Sequence, residues 1–178
     1  MALAYALLGT IQVDYGLDET QLSQLAIGVA ITAAAGCVFG GFLGAKLGVK
    51  RVTGAGYALT TLPTLYLAWQ ISTVGLTNIP MAVFVATILA HSFLFGVAFA
   101  VRVAIFMGMT NPLVAATQFT TYMALSNVAI SIGNFWQGAV AERFDYSTAL
   151  YIDSALVILA LCVIPFLRDR EPAGSSSG

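Results

Sequence analysis

Charge is what this 178-residue sequence has least of: Asp, Glu, Lys and Arg make up only 8% of it. Soluble domains carry about 25%, so too little polar surface exists here to cover a water-facing fold. Seven basic residues against eight acidic ones leave no basic surface for nucleic acid. The two cysteines, Cys37 and Cys162, lie inside apolar runs and offer neither a disulfide framework nor metal-ligand spacing. A single histidine supports no Ser-His-Asp constellation. Gly54-Ala55-Gly56 has no third glycine at dinucleotide-binding spacing, and no phosphate-binding loop occurs. The residues therefore point to no enzyme, no cofactor and no metal.

What is abundant is apolar length: 59% of residues are hydrophobic, with a mean hydropathy of +0.90. A helix crosses the roughly 30 Å hydrocarbon layer with about 20 apolar residues. Five stretches qualify, at residues 23–45, 52–74, 79–101, 115–141 and 146–167. They are too long and too continuously apolar for barrel strands, which alternate over about 10 residues. The expected fold is all-α, a polytopic membrane helix bundle. Residues 1–13 are apolar but short, with no basic leader and no cleavage site, and are expected to be the remainder of a truncated sixth span. Residues 1–167 read as one transmembrane domain, and 168–178, rich in Pro, Gly and Ser, as a disordered tail.

The connectors sort by charge. Lys46, Lys50, Arg51, Arg102, Arg168 and Arg170 fall in one set, against Arg143 alone in the other. The positive-inside bias puts the first set, and the C-terminus, in the cytoplasm. In this reading Arg102 opens a connector and anchors topology. Asn78 caps the span that follows, with Pro80 in its first turn, and Asn111-Pro112 breaks the chain before residue 115.

Inside the spans, Gly36, Gly40, Gly44 and Gly48 recur every four residues, with Gly28 and Thr32 upstream on the same face. Such a column lets a neighbouring helix approach closely. Pro63 removes a backbone hydrogen bond in mid-span. Thr120, Asn127, Ser131 and Asn134 stand at offsets 0, 7, 11 and 14, on one helical face, with Gln137 a turn further and off that line. A hydrophilic stripe must face protein or water rather than lipid. Two readings stay open for it, interhelical hydrogen bonding and the lining of a solute cavity. His91 sits midway along residues 79–101, where a titratable group is a functional candidate by default. Asp153, two turns into the last span, is expected at another depth, near the outer face or paired with Arg143.

Two local patterns go further. Residues 40–51 read GGFLGAKLGVKR at a turn between spans, and Ala116-Thr117-Gln118-Phe119 opens the fifth, beyond His91 and Gly96. The first resembles the Gly-rich basic loop in the C-terminal half of the major facilitator superfamily, with Gly41, Gly44, Lys46, Gly48, Lys50 and Arg51 as its motif positions. The second resembles the Ala-Thr-Gln-aromatic element of muropeptide permeases and their acetyl-CoA-transporter relatives. Family loops usually carry an acid before the first basic residue; Ala45 stands there, so the salt bridge that acid makes has no counterpart. In the permeases the position matching His91 tends to be polar or acidic, so substrate identity does not carry over.

The resemblance implies a six-helix half of a two-half transporter, completed by a missing N-terminal half or a second copy. Its first, second, fourth and fifth spans would border the central cavity. The implied activity is secondary transport of a polar small solute across a membrane, most simply a bacterial inner membrane, by alternating access with protons as coupling partner. His91, Thr120, Asn127, Ser131 and Asn134 are the expected substrate contacts, and His91 is also the expected proton carrier. The bilayer is the other expected partner.

Overall fold

The computed structural model describes residues 6–162 and, among them, only helices and the turns that join them. Six helices follow in order: α1 (Ala6–Tyr15), α2 (Glu19–Leu47), α3 (Val49–Val74), α4 (Met81–Met109), α5 (Ala115–Arg143) and α6 (Tyr146–Leu161). The expected span at 146–167 is described as far as Leu161. The tail at 168–178 lies outside the described residues, as do residues 1–5 of the opening stretch.

Local chemistry sets the boundaries. Asp18 caps α2 by accepting from the Gln21 N–H at 2.8 Å, while its own N–H donates to the Gln21 side chain at 3.0 Å. Gly48 alone separates α2 from α3, at φ +89°, a region open in practice to glycine. The α3 helix runs unbroken through Pro63. Before α5, the Asn111 side chain accepts from the Leu113 N–H at 3.0 Å, and Pro112 opens a short 3-10 turn.

Two expectations are corrected. Pro80, not Asn78, holds the cap position of α4, and the Asn78 amide instead donates to the Val74 carbonyl at 2.8 Å. The last carbonyls of α3 lack helical partners, and a side-chain amide next to them supplies one. Secondly, α4 does not stop at residue 101 but runs to Met109, because Val103 to Met107 continue the apolar sequence and one arginine does not end a helix. Arg102 therefore lies within a helix, two turns from its end, and does not open a connector.

At the centre stands α4, packed along α2 and α3; α6 lies against α3, whereas α5 touches α1, α4 and α6 only lightly. The α2–α4 crossing is made by the glycine column. A Cβ on Gly40 would sit 2.5 Å from the Val97 carbonyl oxygen, one on Gly36 would strike the Phe93 carbonyl, and Gly96 meets the Ala33 carbonyl reciprocally. Backbones touch there, as the four-residue spacing implied. At one end, Tyr15 stacks on Phe84 with centroids 4.2 Å apart and donates to the Ile79 carbonyl at 2.7 Å, while the Tyr146 hydroxyl donates to Asp14. That end thus gathers the end of α1 and the starts of α4 and α6. Acidic Asp14, Asp18 and Asp145 lie there, and Lys46, Lys50 and Arg51 lie at the opposite end, beside Gly48.

Large apolar side chains cover the outside as well as the core, and several polar ones are buried. Ile31, Val38, Phe42, Ile132 and Phe135 are exposed, Phe135 by 82%, whereas Thr60, Thr61, Thr64, His91, Asp153 and Ser154 are buried. An aqueous protein inverts this arrangement, and an apolar solvent favours it. Two described helices, α2 and α4, are long and apolar enough to cross a membrane, each with 29 residues and an 18-residue stretch whose mean hydropathy is 2.0 in α2 and 2.1 in α4.

Candidate functional site

His91 projects from α4 into the interior with 3% of its surface exposed. Facing it are Thr60, Thr61 and Thr64 of α3, which share one face at spacings of one and four residues, and Asp153 and Ser154 of α6. Together they line a space of about 10 Å³, room for one water at most. Their hydroxyls are already committed: Thr64 donates to the Thr60 carbonyl at 3.0 Å and Ser154 to that of Leu150 at 2.9 Å. Each hydroxyl oxygen keeps acceptor capacity towards the imidazole.

This corrects the expected depth of Asp153: it is buried, and it borders the same space as His91. The reason lies in packing, since α6 lies along α3 and carries Asp153 to the depth of the α4 histidine.

Asp153 also joins this space to a larger one. Its Oδ1 accepts a 2.8 Å hydrogen bond from Nε2 of Gln137 on α5, a residue only 4% exposed. Beyond that bond opens a cavity of about 300 Å³ whose polar lining includes Arg102, Ser126, Asn134, Gln137 and Asp153. Polar groups of α3, α4, α5 and α6 thus border two interior spaces that share Asp153.

The α5 stripe is only partly drawn into these spaces. Asn134 is half-buried and lines the cavity; Thr120, Asn127 and Ser131 are exposed. The Thr120 and Ser131 hydroxyls donate to carbonyls of their own helix, those of Ala116 at 2.8 Å and Asn127 at 3.0 Å. Neither the space beside His91 nor the larger cavity is lined by Thr120, Asn127 or Ser131. The glycine-rich turn also divides. A Cβ on Gly44 would lie 3.5 Å from the Val101 side chain, Gly41 faces open space, Lys46 is 4.3 Å from the Phe42 ring centroid, and Arg51 is exposed while Lys50 is half-buried. Gln118 of the Ala-Thr-Gln element accepts from the Asn111 N–H at 2.7 Å, which makes it a clasp on the α4–α5 connector.

A profile of the Major Facilitator Superfamily matches residues 1–178, the whole sequence. The chain belongs to the major facilitator superfamily. It is accordingly a membrane protein and a transporter of the major facilitator type, a superfamily whose members transport rather than catalyse. No curated protein and no solved structure matches it. For a transporter, a charged and amide-lined path through the bundle interior is where solute or ion contact belongs. The sequence singles out Arg102, Gln137 and Asp153 but leaves them outside the expected substrate contacts, because it places them in a connector, off the stripe and at another depth. A signal existed for Arg102, because the apolar run beyond it made a longer helix legible.

Proposed function

We propose that this chain forms one six-helix half of a secondary active carrier, resembling the muropeptide permease and acetyl-CoA transporter group, that moves a polar small solute with protons. The observation that carries this reading is the burial of His91 and Asp153 around one interior space, joined through Gln137 to a cavity beside the α5 stripe. Burying a titratable pair in an apolar bundle is costly and calls for a compensating role. Free imidazole titrates near about pH 6.5, so a histidine is suited to load and release a proton.

In the proposed cycle, Thr120, Asn127, Ser131 and Asn134 hold the solute from the α5 side. His91 exchanges a proton with Asp153 or with a water between them. The two halves then rock about the midplane. The exposed hydrophilic face of α5 needs a neighbour other than lipid, which supports a second six-helix half, or a second copy, across the path. Residues 1–167 are read as the transmembrane domain. Lys46, Lys50, Arg51 and the C-terminal residues face the cytoplasm of a bacterial inner membrane by the positive-inside bias.

The test reconstitutes the full-length protein in vesicles holding a pH-sensitive dye, with an inward proton gradient and a panel of muropeptides and amino sugars. Solute-dependent proton entry is expected in the wild type. In His91→Ala that entry is expected to vanish while solute exchange persists. Unchanged proton-driven uptake by His91→Ala removes His91 from the mechanism. Solute flux with no proton movement in the wild type identifies an uncoupled facilitator, and no flux at all favours a membrane scaffold.

A further inference from the structure

A groove of about 480 Å³ runs between α3 and α4 away from the interior spaces, and its lining includes Leu62, Pro63, Tyr66, Val83, Ala86 and Ala90. Two exposed alanines one turn apart, Ala86 and Ala90, cut the α4 side away, and Leu62 and Tyr66 form the α3 side. Thr87 also borders it, but its hydroxyl is satisfied by donating to the Val83 carbonyl at 2.7 Å. In a membrane protein such an exposed apolar surface meets acyl chains. Its length says what fits. From Val83 to Ala90 is about 10 Å of helix rise, starting two residues into α4. That lies within one leaflet, which is about 15 Å of the roughly 30 Å hydrocarbon layer. A transmembrane partner helix would call for a groove across both leaflets. The polar groups stand at the shallow end. Gln70 lies four residues from the end of α3, where the chain turns into α4 at the acidic end of the bundle, and its Nε2 donates to the Tyr66 hydroxyl at 2.8 Å. The phenol keeps its own proton, and nothing among the described residues accepts it. The exposed Trp69 ring stands beside the pair, 6.1 Å from that of Tyr66, at the level membrane proteins give to interfacial aromatics.

We propose that this groove holds one phospholipid of the leaflet at the acidic end. One acyl chain lies between Leu62 and the Ala86–Ala90 notch, and an ester or phosphate oxygen accepts from the Tyr66–Gln70 pair. An apolar slot of one-leaflet depth, topped by hydrogen-bond donors, follows the order of a phospholipid from tail to head. A chain in the groove touches protein on more than one side, whereas a chain on the outer face of α2, over Ile31 and Val38, touches it on one. Each added atomic contact is small, but along a whole acyl chain they sum to a preference for the groove. The site uses none of the carrier's interior residues and stands on the membrane location alone.

The test reconstitutes the full-length protein in phosphatidylglycerol–phosphatidylethanolamine vesicles containing a trace of a phospholipid with a diazirine in its acyl chain. After illumination, labelled residues are mapped by mass spectrometry. Leu62, Ala86 and Ala90 are expected to be labelled more heavily than Ile31 and Val38 of α2, which report the lipid that merely surrounds the protein. Ala86→Phe fills the notch and is expected to bring Leu62 down to the α2 level while α2 labelling stays as in the wild type. Tyr66→Phe combined with Gln70→Leu adds no bulk, so it keeps the test open should Ala86→Phe fold poorly. That double variant is expected to reduce labelling of the groove by roughly twofold to tenfold, the range for one lost neutral hydrogen bond. A free fatty acid with the same diazirine is expected to label the groove less than the phospholipid does. Equal labelling of the groove and of α2 means surrounding lipid only, and the site falls. Equal labelling of the groove by fatty acid and phospholipid, or no effect of the double variant, removes the headgroup contact and with it the phospholipid assignment. Cross-links from the groove to another polypeptide would make it a protein interface and overturn the proposal. None of these outcomes touches the carrier reading, which is tested by proton and solute flux.

Discussion

Residues of one type diverge here according to what lies within 4 Å of them. Gly36 meets the Phe93 backbone, which cannot swing aside as a side-chain tip can, whereas nothing lies within 4 Å of a Cβ placed on Gly41. Gly36→Ala is therefore expected to destabilise the protein by about 1–3 kcal/mol, the usual range for overpacking. Gly41→Ala is expected to be neutral or to stabilise by up to about 1 kcal/mol through helix propensity. Thermal unfolding in detergent separates the two, and equal losses would mean that the α2–α4 crossing is looser than described. Four-residue spacing reveals the column, but only the neighbour's position shows which of its glycines are irreplaceable.

At the scale of the element, α6 shows how an end is defended. The Asp145 carboxylate accepts from the Thr148 N–H at 2.6 Å and from the Ser147 hydroxyl at 3.0 Å, and these bonds hold its pKa below the ordinary carboxylate value. Removing such a cap costs about 0.5–2 kcal/mol, so Asp145→Ala is expected to lower the unfolding temperature at neutral pH. A depressed folded pKa means that the contribution is complete above the unfolded carboxylate value, about 3.9. It is lost as pH falls through the lower folded value. The difference between wild type and Asp145→Ala is thus expected to persist at pH 5 and to shrink below about pH 4; a constant difference would assign it to packing. The longer α4 belongs to this scale too, because Arg102 changes from a connector charge to an interior donor once the helix runs to Met109.

For the whole molecule, the decisive asymmetry is that α4 is enclosed while α5 is not. The carrier reading makes one face of α5 wet and the adjoining face oily. In a background with Cys37 and Cys162 replaced, cysteines at Thr120, Asn127 and Ser131 are expected to react with a membrane-impermeant thiol reagent in intact vesicles. Cysteines at Val128, Ile132 and Phe135 are expected to stay largely unreactive. Equal labelling of both faces, or of neither, would remove the solute path from α5.

Composition and periodicity by themselves determined the all-helical character of the described residues and the glycine seam, because these follow from pattern along one chain. The capacity of residues 40–51 to resemble a family loop was equally local. Which hydrophilic groups meet was decided only by tertiary structure: α6 lying on α3 brings Asp153 to His91, and Gln137 reaches Asp153 from a third helix. Helical offsets order side chains around a single axis and contain nothing about the rotation of one helix against another. That rotation is set by where backbones can touch, here at Gly36, Gly40 and Gly96.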